Sequence, residues 1–148
     1  MSLEKKIMEQ LKTAMKAKDS VALESLRAIK SALLLEKTKG GKGELTEADE
    51  LKILQKLVKQ RKDSAEIYTQ QNRDDLAKTE LDQVSIIEQF LPKQMTPEEI
   101  TEVVTDIITQ IGAESMKDMG KVMGIANKEM AGKADGKLIA QIVKQKLA

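Results

Sequence analysis

The chain has 148 residues, 41% hydrophobic and 33% charged, with a formal net charge of +1, enough for one ordinary domain or two small ones with a real core. It contains no His and no Cys, and Tyr68 and Phe90 are its whole aromatic supply. Disulfides, thiol nucleophiles, Ser–His catalysis, zinc sites built on nitrogen or sulfur, and base-stacking platforms are therefore excluded.

With so few aromatics the interior must come from Leu, Ile, Val, Met and Ala, which suit helices better than a pleated sheet. The opening segment MSLEKKIMEQLKTAMK is amphipathic and predicts a helix over about residues 2–17, with Leu3, Ile7, Leu11 and Ala14 on one stripe. It lacks the unbroken apolar stretch of a signal peptide, and no segment approaches the roughly 20 apolar residues that span a bilayer. The expected compartment is the cytoplasm. A second helix starts near Asp19 or Ser20 and buries Ala22, Leu26, Ile29 and Leu33. The polar run KTKGGKGE follows, and Gly40, Gly41 and Gly43 mark it as a mobile loop. Thr46 with Asp49 opens a third helix, about 47–71, and a fourth runs from about 74 to 90, with Asn72 at their turn. Short loops between such neighbours predict a small antiparallel helical bundle.

Two charges fall inside apolar stripes. Leu51, Leu54, Val58, Ala65 and Tyr68 cluster on one side of the third helix, and Arg61 lies among them. Leu76, Ala77, Val84, Ile87 and Leu91 form the apolar side of the fourth, and Glu80 lies within it. If the helices fold back at Asn72, Arg61 and Glu80 face each other within a turn. The reading taken is a structural, partly buried ion pair that fixes hairpin register; the alternative is a ligand or catalytic carboxylate–guanidinium site.

Pro92 and Pro97 punctuate the chain in FLPKQMTPEE. Pro92 ends the helix before it, and Thr96 caps a new one, with Pro97 at its first position and Glu99 completing a capping box. The boundary placed there divides the chain into an N-terminal helical domain, 1–92, and a C-terminal helical domain, 93–148. Ile100, Val103, Val104, Ile107, Ile108 and Ile111 give an unbroken helical pattern ending at Gly112. Its solvent side, with Glu98, Glu99, Glu102 and Asp106, has no base and should repel a phosphate backbone. Ser115 with Asp118 begins a short helix carrying Met116, Met119, Val122 and Met123; another short helix covers about 125–130. Gly132 breaks the chain, Asp135 caps, and the last helix carries Leu138, Ile139, Ile142, Val143 and Leu147. The expected fold class is all-α.

Residues 115–148 hold seven lysines and three acids, a net of +4, whereas residues 1–114 hold 18 bases and 21 acids, a net of −3. A cationic end on a slightly acidic body points toward nucleic acid. Lys117 and Lys121 are one helical turn apart. Lys133 and Lys137 bracket the Gly132–Asp135–Gly136 turn, where flexible glycines and a helix N-terminus suit a phosphate. AGKADG is no P-loop, because it lacks the G-x-x-x-x-G-K-[ST] spacing.

The chain resembles the YqeY family of small bacterial proteins over essentially its whole length. The motifs that carry this are LKTAMKAKD (11–19), QKLVKQRKDSAEIY (55–68), QFLPKQMTPEEI (89–100), MKDMGKVMG (116–124) and GKADGKLIAQIVKQKL (132–147). The last 50 or so residues also resemble the tail domain of GatB, a subunit of aspartyl/glutamyl-tRNA amidotransferase, through Gly120–Met123 and Gly132–Ala134. The GatB tail usually has Asn-Pro after its G-K-A, where this chain has Asp135-Gly136, a negative charge beside the proposed phosphate site. The resemblance implies a GatB-tail-like C-terminal domain and a module that contacts tRNA or another structured RNA.

The leading expectation is therefore a non-catalytic RNA-binding accessory protein using Lys117, Lys121, Lys133 and Lys137, with Lys128, and reading backbone shape because aromatic platforms are missing. A second is a protein–protein module in which Met116, Met119, Met123 and Met130 form an adaptable docking surface; filling an irregular core is the favoured role for these methionines. A third is a component of a carbon–nitrogen ligase with glutamine as amide donor, as the family association suggests. No catalytic residues, metal ligands or cofactor are expected, and no Ser-Ser-Lys amidase pattern is present; Ser64, Ser85 and Ser115 each have ordinary helix or cap explanations.

Overall fold

Ser2 accepts a hydrogen bond from the Lys5 amide at 3.3 Å and opens α1, Leu3–Ala17. Asp19 does the same for the Ala22 amide at 3.1 Å, at the start of α2, Ser20–Gly40. Each bond satisfies a backbone donor that the first turn of a helix would otherwise leave bare. Lys18, at φ 55°, takes the left-handed conformation that ends α1. The computed structural model describes residues 2–40 and 43–148.

Helix α2 runs through Lys37–Gly40, which the glycine content assigned to the loop; Gly41 lies outside the described residues. Packing and local bonds outweigh the glycine signal there. Leu33 is buried, the Thr38 hydroxyl donates to the Leu34 and Leu35 carbonyls, and Lys37 forms an ion pair with Glu4 of α1. Thr46 and Asp49 make the expected capping box for α3, Glu47–Gln70, and α4 covers Asp74–Glu88. Asn72, at φ 60°, supplies the left-handed residue of the turn between them, a conformation Asn tolerates better than most side chains.

These four helices form one unit, Met1–Leu91. Ile7 and Leu11 of α1, Leu26, Ile29 and Leu33 of α2, Leu54 and Val58 of α3, and Val84 and Ile87 of α4 share its core. Ile29 and Ile87 are fully buried, each stabilising by about 1.5–3 kcal/mol relative to exposure. Ser25, also fully buried, sits among aliphatic neighbours and escapes the polar cost by donating to the Val21 carbonyl at 2.8 Å.

Arg61 does not meet Glu80. Its Nε–H donates to Gln83 Oε1 at 2.8 Å and an Nη1–H to the Leu57 carbonyl at 3.1 Å. Among the described residues no ion pair joins Arg61 to Glu80. The reason is register. Both helices rise equally per residue from the turn at Asn72, so Arg61, eleven residues before it, is level with Gln83, eleven after. Glu80 is level with Ser64, one turn nearer the turn. Gln83 is buried, and the guanidinium completes its amide oxygen.

The second unit is Pro92–Ala148. Thr96 and Glu99 form the capping box of α5, Pro97–Ile111, which ends at Gly112 with φ 67°. A single 3-10 turn, Met116–Asp118, leads into α6, Met119–Glu129, and the last helix, α7, is Gly136–Leu147. The periodicity predicts two short helices where α6 is continuous. Gly124 costs a helix interior about 1 kcal/mol relative to Ala, and burial of Val122, Ala126 and Met130 offsets this. Those residues pack with Ile100, Val104 and Ile107 of α5 and Ile139 and Val143 of α7. The seven α-helices and one 3-10 turn are all the regular structure among the described residues, with no strand.

Candidate nucleic-acid interface

Helix α6 turns its apolar residues inward and its lysines outward for one geometric reason. Val122 and Ala126 are four apart and share the core side. Lys121 and Lys128 are seven apart, so they lie within about 20° of each other on the opposite side, about 10 Å apart along the axis. Both are exposed, as are Lys117 on the preceding 3-10 turn and Lys133 and Lys137 around the α6–α7 turn. None of the five makes an ion pair among the described residues, whose ion pairs all lie in the first unit.

The backbone that carries Lys133 is fixed from outside its own turn. Gly132 takes a left-handed conformation at φ 76°. The Gln94 side-chain amide donates to the Gly132 carbonyl at 2.9 Å, and the Met95 backbone N–H donates to the Lys133 carbonyl at 2.9 Å. This segment before α5 lies in the FLPKQMTPEE run, whose prolines mark a boundary, but it carries no helical periodicity and nothing in it signals this attachment. Lys144 on α7 is a further exposed lysine. It lies seven residues after Lys137 and shares its outward side, a spacing that was legible.

The helix starts are less open to an anion than the glycines suggest. Asp135 caps α7 by accepting from the Lys137 N–H at 3.4 Å. At the 3-10 turn, Asp118 accepts from the Glu114 and Ser115 N–H groups at 3.0 and 3.4 Å, and Ser115 Oγ accepts from the Lys117 N–H at 3.4 Å. These backbone bonds hold the Asp118 carboxyl below its usual range, with a smaller contribution from the Lys121 charge. The phosphate cradle expected at the N-terminus of α7 is already occupied by a carboxylate, so a polyanion would be held by the ammonium groups instead.

Helix α5 carries the opposite charge. Glu98, Glu102 and Asp106 are exposed on the side away from buried Ile100, Val104 and Ile107, and Glu99 is taken up by the cap. The second unit thus separates an acidic helix from basic elements α6 and α7. Its methionines mostly serve the core: Met130 is buried and Met119 and Met123 pack against the cluster, while Met116 stays exposed. Among the described residues no group of three or more acidic side chains is placed to hold a metal ion, and no helix is long and apolar enough to cross a membrane.

The profile of the family described as Yqey-like protein matches residues 4–147. A protein of Clavispora lusitaniae, "Altered inheritance of mitochondria protein 41, mitochondrial", is 35% identical over 124 residues, covering 82% of this chain and 72% of that protein. The protein of the same name in Meyerozyma guilliermondii is 34% identical over 119 residues, 78% of this chain and 59% of its own length. A glutamyl-tRNA(Gln) amidotransferase component of Methanobrevibacter smithii is 35% identical over 57 residues, 36% of this chain and 9% of that protein. The likeness therefore reaches beyond the bacterial proteins the sequence first suggested.

Proposed function

Because the chain belongs to the Yqey-like protein family, we propose that it is a non-catalytic accessory protein of the cytoplasm that binds tRNA or another structured RNA through its second unit. One observation carries this reading: Lys117, Lys121, Lys128, Lys133 and Lys137 are exposed and, among the described residues, form no ion pair, and none of them lies on the acidic helix α5. The likeness to a glutamyl-tRNA(Gln) amidotransferase component supports tRNA as the polyanion. Recognition rests on phosphates and duplex shape, since the unit has no aromatic side chain.

The test is binding of bulk tRNA across a salt series. If three to five lysines each neutralise a phosphate, the slope found for duplex DNA gives a fall in affinity of roughly 40- to 500-fold between 50 and 200 mM salt. Lys121→Glu combined with Lys133→Glu weakens binding and flattens that slope. Affinity insensitive to salt, or to both substitutions, refutes the reading. The amidotransferase likeness also favours a second reading, a component of a glutamine-dependent carbon–nitrogen ligase; glutamine hydrolysis by the purified protein separates it from the first.

A further inference from the structure

The hairpin of α1 and α2 carries an apolar groove that the fold leaves open. Ile7 and Leu33 form its floor, Met8 and Leu34 its walls, and Lys30 its rim, around a pocket of about 210 Å³. The Glu4–Lys37 ion pair lies at the same end. The floor belongs to the core, but Met8 is 43% and Leu34 61% exposed. Met15, seven residues after Met8, continues one bank at 60% exposure; Arg27, seven before Leu34, continues the other. The two banks therefore run for about two helical turns, about 10 Å, the reach of anchors spaced i, i+4, i+7 on an incoming helix.

Charge selects the occupant. Residues 3–40 hold nine bases and five acids, a net of +4, although the first unit as a whole is nearly neutral. A second copy of this chain would bring its own +4 hairpin against this one. RNA offers nothing to bury the Met8 and Leu34 side chains, and a lipid surface would leave the concave pocket unfilled. We propose that the α1–α2 groove docks an acidic amphipathic helix of a partner protein, its apolar side chains seated between Met8 and Leu34 and its carboxylates facing Lys30 and Arg27. Methionine suits this role because its flexible thioether adapts to different knobs. The groove is built by the first unit's residues alone and does not depend on the RNA reading.

The full chain is titrated with a synthetic helical peptide bearing Leu at i, i+4 and i+7 flanked by glutamates, and with a version bearing lysines instead. Methyl NMR reports on Met8 and Leu34. The acidic peptide shifts both methyl groups at concentrations up to about 1 mM, the lysine version does not, and Lys30→Glu weakens the acidic peptide at least fivefold. Leu34→Ser, at an exposed position, abolishes the Met8 methyl shift with the thermal unfolding curve unchanged. Equal response to both peptides, or no response to either, overturns the proposal. So does Lys30-dependent binding to anionic phosphatidylglycerol vesicles without peptide binding, which would make the groove a lipid contact.

Discussion

The bond between Arg61 and Gln83 can be separated from the ion pair it replaces by a double-mutant cycle. The pair crosses the α3–α4 hairpin at 2.8 Å, and Gln83 is only 6% exposed. A hydrogen bond to a charged donor contributes about 1.5–3 kcal/mol. Arg61 is half-buried, so water partly replaces the lost acceptor, and the expected coupling between Arg61→Met and Gln83→Met falls to about 1–2 kcal/mol. With a urea dependence of about 1–3 kcal/mol per molar, a loss of that size in a single variant shifts the unfolding midpoint by roughly 0.3–2 M. Tyr68 is the only Tyr and there is no Trp, so its fluorescence reports the first unit of the full chain alone. Glu80→Gln should move that midpoint by less than about 0.5 kcal/mol equivalent, as for an ordinary surface change. A larger coupling of Arg61 to Glu80 than to Gln83 would refute the register argument.

Thr96→Ala removes the side chain that caps α5, and the second unit should lose about 1 kcal/mol; Thr96→Ser retains the oxygen and should lose little, both read from helical circular dichroism on heating. Burial, then repulsion from Glu4 and Glu47, pushes the Glu50 carboxyl above its ordinary value of 4.5. The folded chain therefore binds this proton more tightly than the unfolded chain, and the contribution of Glu50 to stability declines as pH rises from 4.5 through the raised value. Glu50→Gln should stabilise the protein at neutral pH and flatten that part of the profile; a variant less stable at pH 7 would contradict the sign.

The helices were legible because their signals are local and agree with one another. Thr46, Thr96 and Ser115 each sit three residues before an acid, and each forms the capping box that spacing implies. The stripe Ile100–Val104–Ile107 needed only the 3.6-residue period to be placed inward. What stayed hidden depends on register or on distant chain. Glu80 and Gln83 lie on the same side of α4, so periodicity alone could not choose between them for Arg61; only the level of each side chain above the Asn72 turn does. The end of α2 was misplaced because Gly40 reads as a breaker, while the Glu4–Lys37 pair that holds that turn comes from a helix 33 residues away. At the basic end, spacing gave Lys117 and Lys121 one turn apart, but the common outward side of Lys121 and Lys128 needed the continuous α6 that the sequence divides into two short helices. Spacing also gave Asp118 and Asp135 as capping residues, whose carboxylates sit on the backbone amides; it gave no sign of the Gln94–Met95 attachment to the turn between α6 and α7.

The clasp of Gln94 and Met95 on Gly132 and Lys133 links segments 38 residues apart in the second unit. The Met95 amide lies outside any helix, yet it can exchange with solvent only when that clasp lets go. Its exchange rate would thus time the release of the turn itself. A main chain immobilised in this way leaves only the four-carbon stem of Lys133 to be ordered when the ammonium meets a counter-charge, and the entropy lost in that encounter is correspondingly small.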